Sequence, residues 1–291
     1  GKDIPFPMGE AWPKAYDDPK LIFSLAQRSN DFIETQIKNN KPFYLQISHY
    51  AVHLAITHSE KNIDKYSKLK KGQKHFVPAF AAMTEDMDEG IGILLDKIAA
   101  LGIGDNTYIF FLSDNGGRTS IPIGPKQKRD RNFPLRGGKG SMYEGGLRVP
   151  FVVSGPGVSS NTHSDVPVTG LDILPTVARL AGYNDPLPEI IDGGNLESII
   201  RNNGIGKVER NTPYLIFPQA ANRKPTSAIR WGDYKLVKNW ETNVLELFDL
   251  SGDVEEKNDL SKQMPERVIK LNKALEEFLD RANAETSRTE I

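Results

Sequence analysis

The segment from residue 81 to residue 117 constrains the fold more than any other part of this chain. Apolar side chains recur there at helical spacing from Met83 to Leu101, so that they form one stripe along a helix. Gly102 follows at the position where a helix C-terminus favours a left-handed residue. Residues 108–112 are then all aromatic or aliphatic, which indicates a short buried strand. A helix that leads directly into a buried strand is typical of an α/β protein.

Other segments repeat this alternation. Residues 43–48 form a short apolar run after Pro42, and residues 149–153 form another, so both are predicted strands. Apolar positions recur at helical spacing from Leu21 to Ile37 and predict a further helix. Strands that alternate with helices predict a mainly parallel sheet with helices on both faces.

The pattern changes beyond about residue 210. Turn residues there separate short strand-like runs at 214–217, 227–230, 234–237 and 244–249, which predict a small antiparallel sheet. Apolar positions from Val268 to Leu279 then predict a final amphipathic helix. We therefore predict an α/β domain over residues 1–209, followed by a subdomain of antiparallel sheet and helix over residues 210–291.

Composition excludes several classes of function. The 291 residues include no cysteine, so disulfides, thiolate metal sites and a cysteine nucleophile are excluded within this sequence. The net charge of −1 argues against a dedicated nucleic-acid-binding protein. No apolar run has the length of a membrane span.

Polar residues with metal-binding chemistry follow the strand predicted at 108–112. Asp114 and Asn115 offer hard oxygen ligands, which suit calcium or magnesium, and two glycines after them allow a sharp turn. In open parallel sheets, ligands bind beyond the carboxyl ends of the strands. The alternative is a plain turn, because Asn-Gly is a common turn dipeptide.

Residues 134–150 form a glycine-rich loop, in which five glycines surround Lys139, Glu144 and Arg148. Such a loop can bring backbone N–H groups and a cation against an anion. Lys139 would then act as a point charge on a sulfate-like or phosphate-like group. The alternative is a flexible surface loop with solvated charges.

Two histidines, His49 and His53, follow the strand predicted at 43–48. A histidine at a strand end can donate to an ester oxygen or act as a general acid. The alternative is a structural role for both.

Together these segments resemble, in order, the sulfatase family of the alkaline-phosphatase-like superfamily. The similar stretches cover nearly the whole chain and correspond to the carboxy-terminal two-thirds of the family. They read SHYAVH at 48–53, AAMTEDMDEGIGILLDKIAALGIGDNTYIFFLSDNGG at 81–117, GGKGSMYEGGLRVP at 137–150, TGLDILPTVARLAG at 169–182, IDGGNLESII at 191–200, AIRWGDYKLV at 228–237 and LFDLSGDVEEKNDLS at 247–261. The stretch at 137–150 looks like the second sulfatase signature, which is highly specific.

The resemblance implies an alkaline-phosphatase-like fold and a role for each matched residue. Asp114 and Asn115 would be ligands of a single calcium ion. Lys139 would contact the sulfate ester, and His53 would contact the same group near the leaving oxygen. Glu144 and Arg148 would brace the glycine-rich loop, and Arg136 would line the pocket.

Two departures from the family pattern matter. Residues 54–57 read LAIT where the family has a segment containing proline, which leaves the shape of that wall open. The family's amino-terminal third supplies an Asp pair for the metal, a further Lys and His, and a Cys or Ser that is oxidised to formylglycine. This sequence has no match to that part, and Ser120-Ile121-Pro122 lacks the arginine of the formylglycine setting. We therefore expect weak calcium binding and no hydrolysis by this chain alone.

The resemblance implies hydrolysis of an aryl or sugar sulfate by the full-length enzyme, in the periplasm or outside the cell. One alternative is a phosphoester hydrolase of the same superfamily, although such enzymes generally need a two-metal site rich in His and Asp, and only two of the five histidines are well placed. Another is a degenerate sulfatase that only binds sulfated glycans through the basic runs at 61–74 and 126–131.

Overall fold

The computed structural model of this chain describes residues 14–70, 72, 77–121, 130–219 and 225–286. These residues belong to two compact units, one formed by residues 1–107 with 120–129 and the other by residues 108–119 with 130–291. The domain boundary predicted between residues 209 and 210 stays a prediction. The compact units are defined by which residues lie close together, and they need not coincide with the domains of a family.

The first unit is mainly helical. Its elements are β1 (Lys14–Ala15), α1 (Ile22–Lys38), β2 (Thr57–His58), α2 (Glu60–Lys68) and α3 (Pro78–Ala100), with short 3-10 turns at Pro19–Leu21 and Gly104–Asn106. Strands β1 and β2 pair in parallel. The helix α3 packs against α1, α2 and β2, and it confirms the helix predicted from the apolar stripe.

Close approach between α3 and α1 depends on a glycine. A side chain at Gly90 would place its Cβ 2.4 Å from the Cγ2 atom of Ile22. An ion pair of 2.5 Å between Lys97 and Glu34 joins the same two helices further along. Nearer the start of α3, Met83 is fully buried, and it packs in a cluster with Ile56, Ala79 and Ile121.

The predicted strand at 43–48 does not form among the described residues. Its side chains do alternate as in a strand, with Phe43, Leu45 and Ile47 partly buried between exposed neighbours. However, no backbone pairing joins this segment to another described segment, and a strand is defined by such pairing. The apolar pattern therefore indicated which side chains face inward, but it did not supply a pairing partner.

The second unit contains the remaining elements. They are β3 (Ile109–Leu112), α4 (Glu144–Leu147), β4 (Phe151–Ser154), α5 (Ile173–Leu180), α6 (Glu197–Arg201), β5 (Leu215–Gln219), β6 (Thr226–Trp231), β7 (Tyr234–Asn239), β8 (Leu245–Asp249) and α7 (Pro265–Arg281), with a 3-10 turn at Gly170–Asp172. Strands were correctly predicted near 107–112 and 149–153, but β3 and β4 pair antiparallel and not in parallel. An apolar run has the same composition in either direction, so it cannot specify strand polarity.

The predicted carboxy-terminal sheet is confirmed, with all neighbours antiparallel in the order β5-β6-β7-β8. Its two faces have different partners. One face packs against α7, through Ile229, Leu236 and Leu247 on the sheet and Leu271, Leu275 and Leu279 on the helix. The other face carries Ala228, Val237 and Phe248, which pack against Met142, Tyr143 and Leu147 of the glycine-rich loop. The sheet therefore lies between the final helix and the predicted anion-binding loop.

None of the helices in the described part of the chain is long and apolar enough to cross a bilayer.

Candidate functional site

The turn after β3 holds one of its two predicted metal ligands, Asn115, by local hydrogen bonds. Asn115 donates from Nδ2 to the carbonyl of Gly116 at 2.9 Å, and the Ser113 hydroxyl donates to the carbonyl of Asn115 at 3.0 Å. With its amide nitrogen fixed in this way, Asn115 has its Oδ1 atom available as a ligand. Asp114, the other predicted ligand, is exposed.

The glycine-rich loop is bonded to this turn, backbone to backbone. Gly116 donates its N–H to the carbonyl of Gly146, and Lys139 donates its N–H to the carbonyl of Gly117, both at 2.9 Å. A Cβ atom at Gly116 would lie only 2.0 Å from the carbonyl oxygen of Gly145, so no other residue fits there without movement. These contacts argue against a freely flexible loop. They bring exposed Lys139 to the loop that follows Asp114 and Asn115.

The side chain of Asn132 joins the two loops, and sequence reasoning did not identify it. Its Nδ2 atom lies 2.6 Å from the carbonyl of Gly117, 3.0 Å from that of Gly137 and 3.3 Å from that of Gly145. It is a single asparagine between two motifs, and only the folded chain brings those carbonyls around it. Asn132 therefore acts as a clamp between the turn and the glycine-rich loop.

The far end of the glycine-rich loop is anchored by charge. Glu144 is buried, and its carboxylate contacts Arg148 Nε at 2.9 Å and Lys235 Nζ at 2.8 Å. Burial favours a raised pKa for Glu144, but the two cations outweigh it, so the pKa lies below its ordinary value. These contacts agree with the bracing role expected for Glu144 and Arg148.

The near end of the loop is anchored by Arg136. Its guanidinium lies 3.1 Å from the Glu246 carboxylate on β8 and 3.7 Å from the centre of the Tyr143 ring. Tyr143 also donates its hydroxyl to Glu246, and burial together with that hydrogen bond raises the pKa of Tyr143. Arg136 was expected to line the pocket, and these contacts give it a structural partner on the carboxy-terminal sheet.

The two candidate histidines differ in exposure. His53 is exposed, and its Nδ1 atom lies 2.9 Å from the carbonyl oxygen of Leu54. A carbonyl can only accept, so Nδ1 is the donor and Nε2 is left for a substrate. His49 is half-buried, and burial lowers its pKa.

The predicted site residues fall in both compact units. Asp114, Asn115 and Lys139 belong to the second unit, where hydrogen-bonded loops bring them near one another, and His53 belongs to the first. We expect Asp114, Lys139 and His53 to converge on one cleft at the carboxyl edge of the sheet, and this stays a prediction.

The fit of a calcium ion to these residues is partial. The oxygens of Asp114 and Asn115 are of the kind that calcium prefers, but calcium takes about six to eight ligands. No group of three or more His, Asp or Glu residues with metal-binding geometry occurs within the described ranges. The donor chemistry therefore suits calcium, and Asp114 and Asn115 offer two of the ligands that it takes.

Comparison with known proteins gives matches along nearly the whole chain. The family profile described as Sulfatase matches residues 9–183. A second profile, described as the C-terminal part of N-sulphoglucosamine sulphohydrolase, matches residues 138–285.

Individual relatives show the same similarity. A sulfatase of Formosa agariphila is 32% identical over 283 residues, covering 88% of this chain and 49% of the relative. Human steryl-sulfatase is 28% identical, with 92% of this chain and 48% of the relative covered. The crystal structure of Ps i-CgsB in complex with k-i-k-neocarrahexaose superposes with a TM-score of 0.74 at 28% identity, covering 88% of this chain and 54% of that one. The chain thus spans about half the length of these relatives, a smaller share than the two-thirds expected.

Proposed function

Because the chain belongs to the sulfatase family, we propose that it forms part of a sulfuric ester hydrolase and supplies that enzyme's sulfate-binding lysine and two calcium ligands. The observation that carries this proposal is the backbone hydrogen bond of 2.9 Å from Lys139 to Gly117. It joins the loop of Lys139 to the loop of Asp114 and Asn115. A cation and two hard oxygen donors on adjoining loops suit a sulfate monoester, whose oxygens carry negative charge that positive groups would stabilise during attack at sulfur.

Each residue has a distinct task in this proposal. Lys139 is exposed, and its ammonium group stabilises the negative charge on the sulfate oxygens. His53 carries its Nδ1 proton toward Leu54, so that Nε2 faces outward and, when protonated, donates to the leaving oxygen. Asp114 and Asn115 would hold a calcium ion, which when bound would supply further positive charge for the sulfate group.

The nucleophile is proposed to lie outside this sequence. The chain has no cysteine, and the one serine in a similar setting, Ser120, lacks the arginine that the formylglycine setting requires. We expect formylglycine and the remaining calcium ligands on another segment of the full-length protein. The chain alone then binds calcium weakly and does not turn over sulfate esters.

A sulfated sugar is the proposed substrate class. The profile that matches residues 138–285 is named after N-sulphoglucosamine sulphohydrolase, whose name refers to a sulfated sugar. The similar crystal structure of Ps i-CgsB contains k-i-k-neocarrahexaose. Such substrates occur outside the cytoplasm, which supports a periplasmic or secreted enzyme.

Turnover of a generic aryl sulfate, with calcium present, tests the proposal. We expect the full-length protein to be active and Lys139→Ala to lower its kcat/KM by about 10²-fold or more, as for loss of a charge-stabilising donor. Lys207→Ala serves as the control, since Lys207 is a highly exposed lysine that pairs with Glu209. A preference for aryl phosphate over aryl sulfate would favour the phosphoester hydrolase instead.

The same assay on this chain alone tests the place of the nucleophile. Turnover that Lys139→Ala abolishes would show that a residue of this chain acts as nucleophile, contrary to the proposal.

The glycan-binding alternative loses part of its support. In the basic run at 61–74, Lys61 and Lys65 pair with Glu89 and Glu85 of α3 at 2.7 and 2.5 Å. Each of these two lysines therefore has a carboxylate partner within the protein itself. In the second basic run, residues 126–129 lie outside the described residues.

A further inference from the structure

A fully buried lysine on the carboxy-terminal sheet lies against the glycine-rich loop. Lys235, on β7, has an exposed fraction of 0%. Its Nζ atom is 2.8 Å from Glu144 Oε1 and 2.6 Å from Glu256 Oε1. The three residues, here called the buried triad, come from α4, β7 and the turn after β8.

The backbone of the glycine-rich loop also contacts the triad. Glu256 accepts a hydrogen bond of 2.6 Å at Oε2 from the N–H of Glu144. The side chain of Glu256 therefore fixes the first residue of α4 through its N–H, while Lys235 fixes the same residue through its carboxylate. Both contacts fall on Glu144, which sits five residues after Lys139.

The conformation of Glu256 supports a positional role. Its φ angle is 55°, in the left-handed region that residues other than glycine seldom adopt. Such a conformation persists where the surroundings fix it. Glu256 also accepts a weak hydrogen bond of 3.4 Å from Arg136 at its carbonyl, so it contacts both ends of the glycine-rich loop.

The contacts continue from the triad to Lys139 without a gap. Gly145, next to Glu144, donates its N–H to the carbonyl of Arg136 at 2.8 Å. Gly146 accepts from Gly116 at 2.9 Å, and Lys139 donates to Gly117 at 2.9 Å. A displacement of α4 would therefore move the two backbone segments that carry Lys139 and the calcium ligands.

Stability alone does not account for the triad. A buried ion pair gives little net stability over well-packed apolar residues of similar volume, because its charges must lose their hydration. What an ion triad adds is direction, since Lys235 Nζ lies within 2.8 Å of both carboxylates and Glu256 also accepts a hydrogen bond from the N–H of Glu144. The opposite face of β7 provides a comparison, because Lys238 there pairs with Glu276 of α7 and contacts no part of the loop.

We propose that Lys235 and Glu256 are positioning residues of the sulfatase site, which act through Glu144 to hold the glycine-rich loop in the shape that presents Lys139. The inference rests on the proposed function of Lys139, and it extends the site to residues of the carboxy-terminal sheet. The sheet is then part of the active-site scaffold, and its loss would leave the loop without its anchor.

Amide hydrogen exchange on this chain tests the structural half of the proposal. We expect Lys235→Met to accelerate exchange at Lys139 and Gly145, with α7 amides such as that of Leu275 unchanged. Lys238→Met is the matched control and should accelerate exchange in α7 but not in the loop. If Lys235→Met accelerated exchange equally in the glycine-rich loop and in α7, the triad would only stabilise the fold as a whole, and the proposal would be wrong.

A second variant covers the case in which Lys235→Met does not fold. Glu256→Gln keeps the shape and an acceptor oxygen but removes one charge, so we expect a smaller acceleration in the same loop amides. No change in those amides would contradict the role of Glu256.

Kinetics of the full-length enzyme test the functional half. We expect Lys235→Met to lower kcat/KM for an aryl sulfate by between about ten-fold and a hundred-fold, as for a catalytic group displaced by about 1 Å. In a Lys139→Ala background the same change should have little further effect, because Lys235 acts through Lys139. Additive losses would show a separate structural effect and overturn the proposal. If the unaltered enzyme has no activity, the proposed function fails, while the exchange experiment still decides the role of the triad.

Discussion

The side chains that would carry the chemistry of the candidate site are positioned by the hydrogen bonds of neighbouring residues. Lys139 and Asp114 are exposed, and neither has a side-chain partner that fixes its direction in the described contacts. Their positions are set by the backbone bonds of adjoining residues and by Asn132, whose amide reaches three carbonyls. The residues that decide the geometry are thus different from those that would contact the substrate.

Asn132→Asp should destabilise the chain by about 1–3 kcal/mol, because a carboxylate oxygen would replace the N–H donors and face three carbonyl oxygens, two of them in partly buried contacts. Denaturant unfolding measures the change. Asn211→Asp is the control, since the amide of Asn211 also faces two carbonyls, but at 3.4 Å and on an exposed residue. Equal losses in the two variants would contradict the clamp role of Asn132.

The Glu144 carboxylate should contribute a pH dependence of stability in the acid range. Its pKa is lowered in the folded chain by Lys235 and Arg148 despite burial, so its contribution is present above the ordinary value of 4.5 and is lost as the pH falls through the lowered pKa. We expect the free energy of unfolding to fall between about pH 5 and pH 3, and Glu144→Gln to flatten that fall. An unchanged slope in Glu144→Gln would show that other carboxylates control it.

The two loops of the site behave as one packed element. The turn after β3 and the glycine-rich loop meet through backbone atoms, and glycines at the contact leave no space for side chains. The loop also packs through Met142 and Tyr143 onto the face of the carboxy-terminal sheet that α7 leaves free. A stretch rich in glycine is therefore rigid here, because tertiary contacts supply the constraints that its own side chains cannot.

Gly116→Ala should cost about 1–3 kcal/mol or more, since the new Cβ would lie 2.0 Å from a backbone carbonyl oxygen that cannot move freely. The midpoint of denaturant unfolding reports the loss. Gly252→Ala is the control, because no atom lies within 4 Å of a Cβ built there, and its effect should stay within about 0.5 kcal/mol. A neutral Gly116→Ala would mean that the two loops do not approach as closely as described.

The residues with proposed roles are divided between the two compact units. The first unit carries His53, and the second carries Lys139 and the two candidate calcium ligands. The proposed function needs a histidine and a lysine on one sulfate group, which stays a prediction for the full-length protein.

A crystal structure of the full-length protein with bound sulfate should place His53 Nε2 and Lys139 Nζ each about 3 Å from sulfate oxygens. The His53→Ala variant should then lose turnover with leaving groups that need protonation more than with activated aryl sulfates. A sulfate bound by Lys139 with His53 far from it would refute the shared cleft.

Local pattern was enough to predict several features of this chain. The apolar stripe from Met83 to Leu101 predicted α3, and turn-separated β-rich runs predicted the antiparallel carboxy-terminal sheet. These features depend on periodicity and turn chemistry, which act over a few residues. The motif at 137–150 likewise pointed to the family, because its residues are adjacent in the chain.

Only the tertiary structure decided the pairing and the long-range contacts. Residues 43–48 have the alternation of a strand without a partner among the described residues, and β3 and β4 pair antiparallel although their composition fits either direction. The sequence pattern assigned no role to Lys235, yet its Nζ atom contacts the Glu144 carboxylate across 91 positions of the chain. Strand pairing and buried ion contacts join residues far apart in sequence, so no local pattern carries them, and they exist only once the chain has folded.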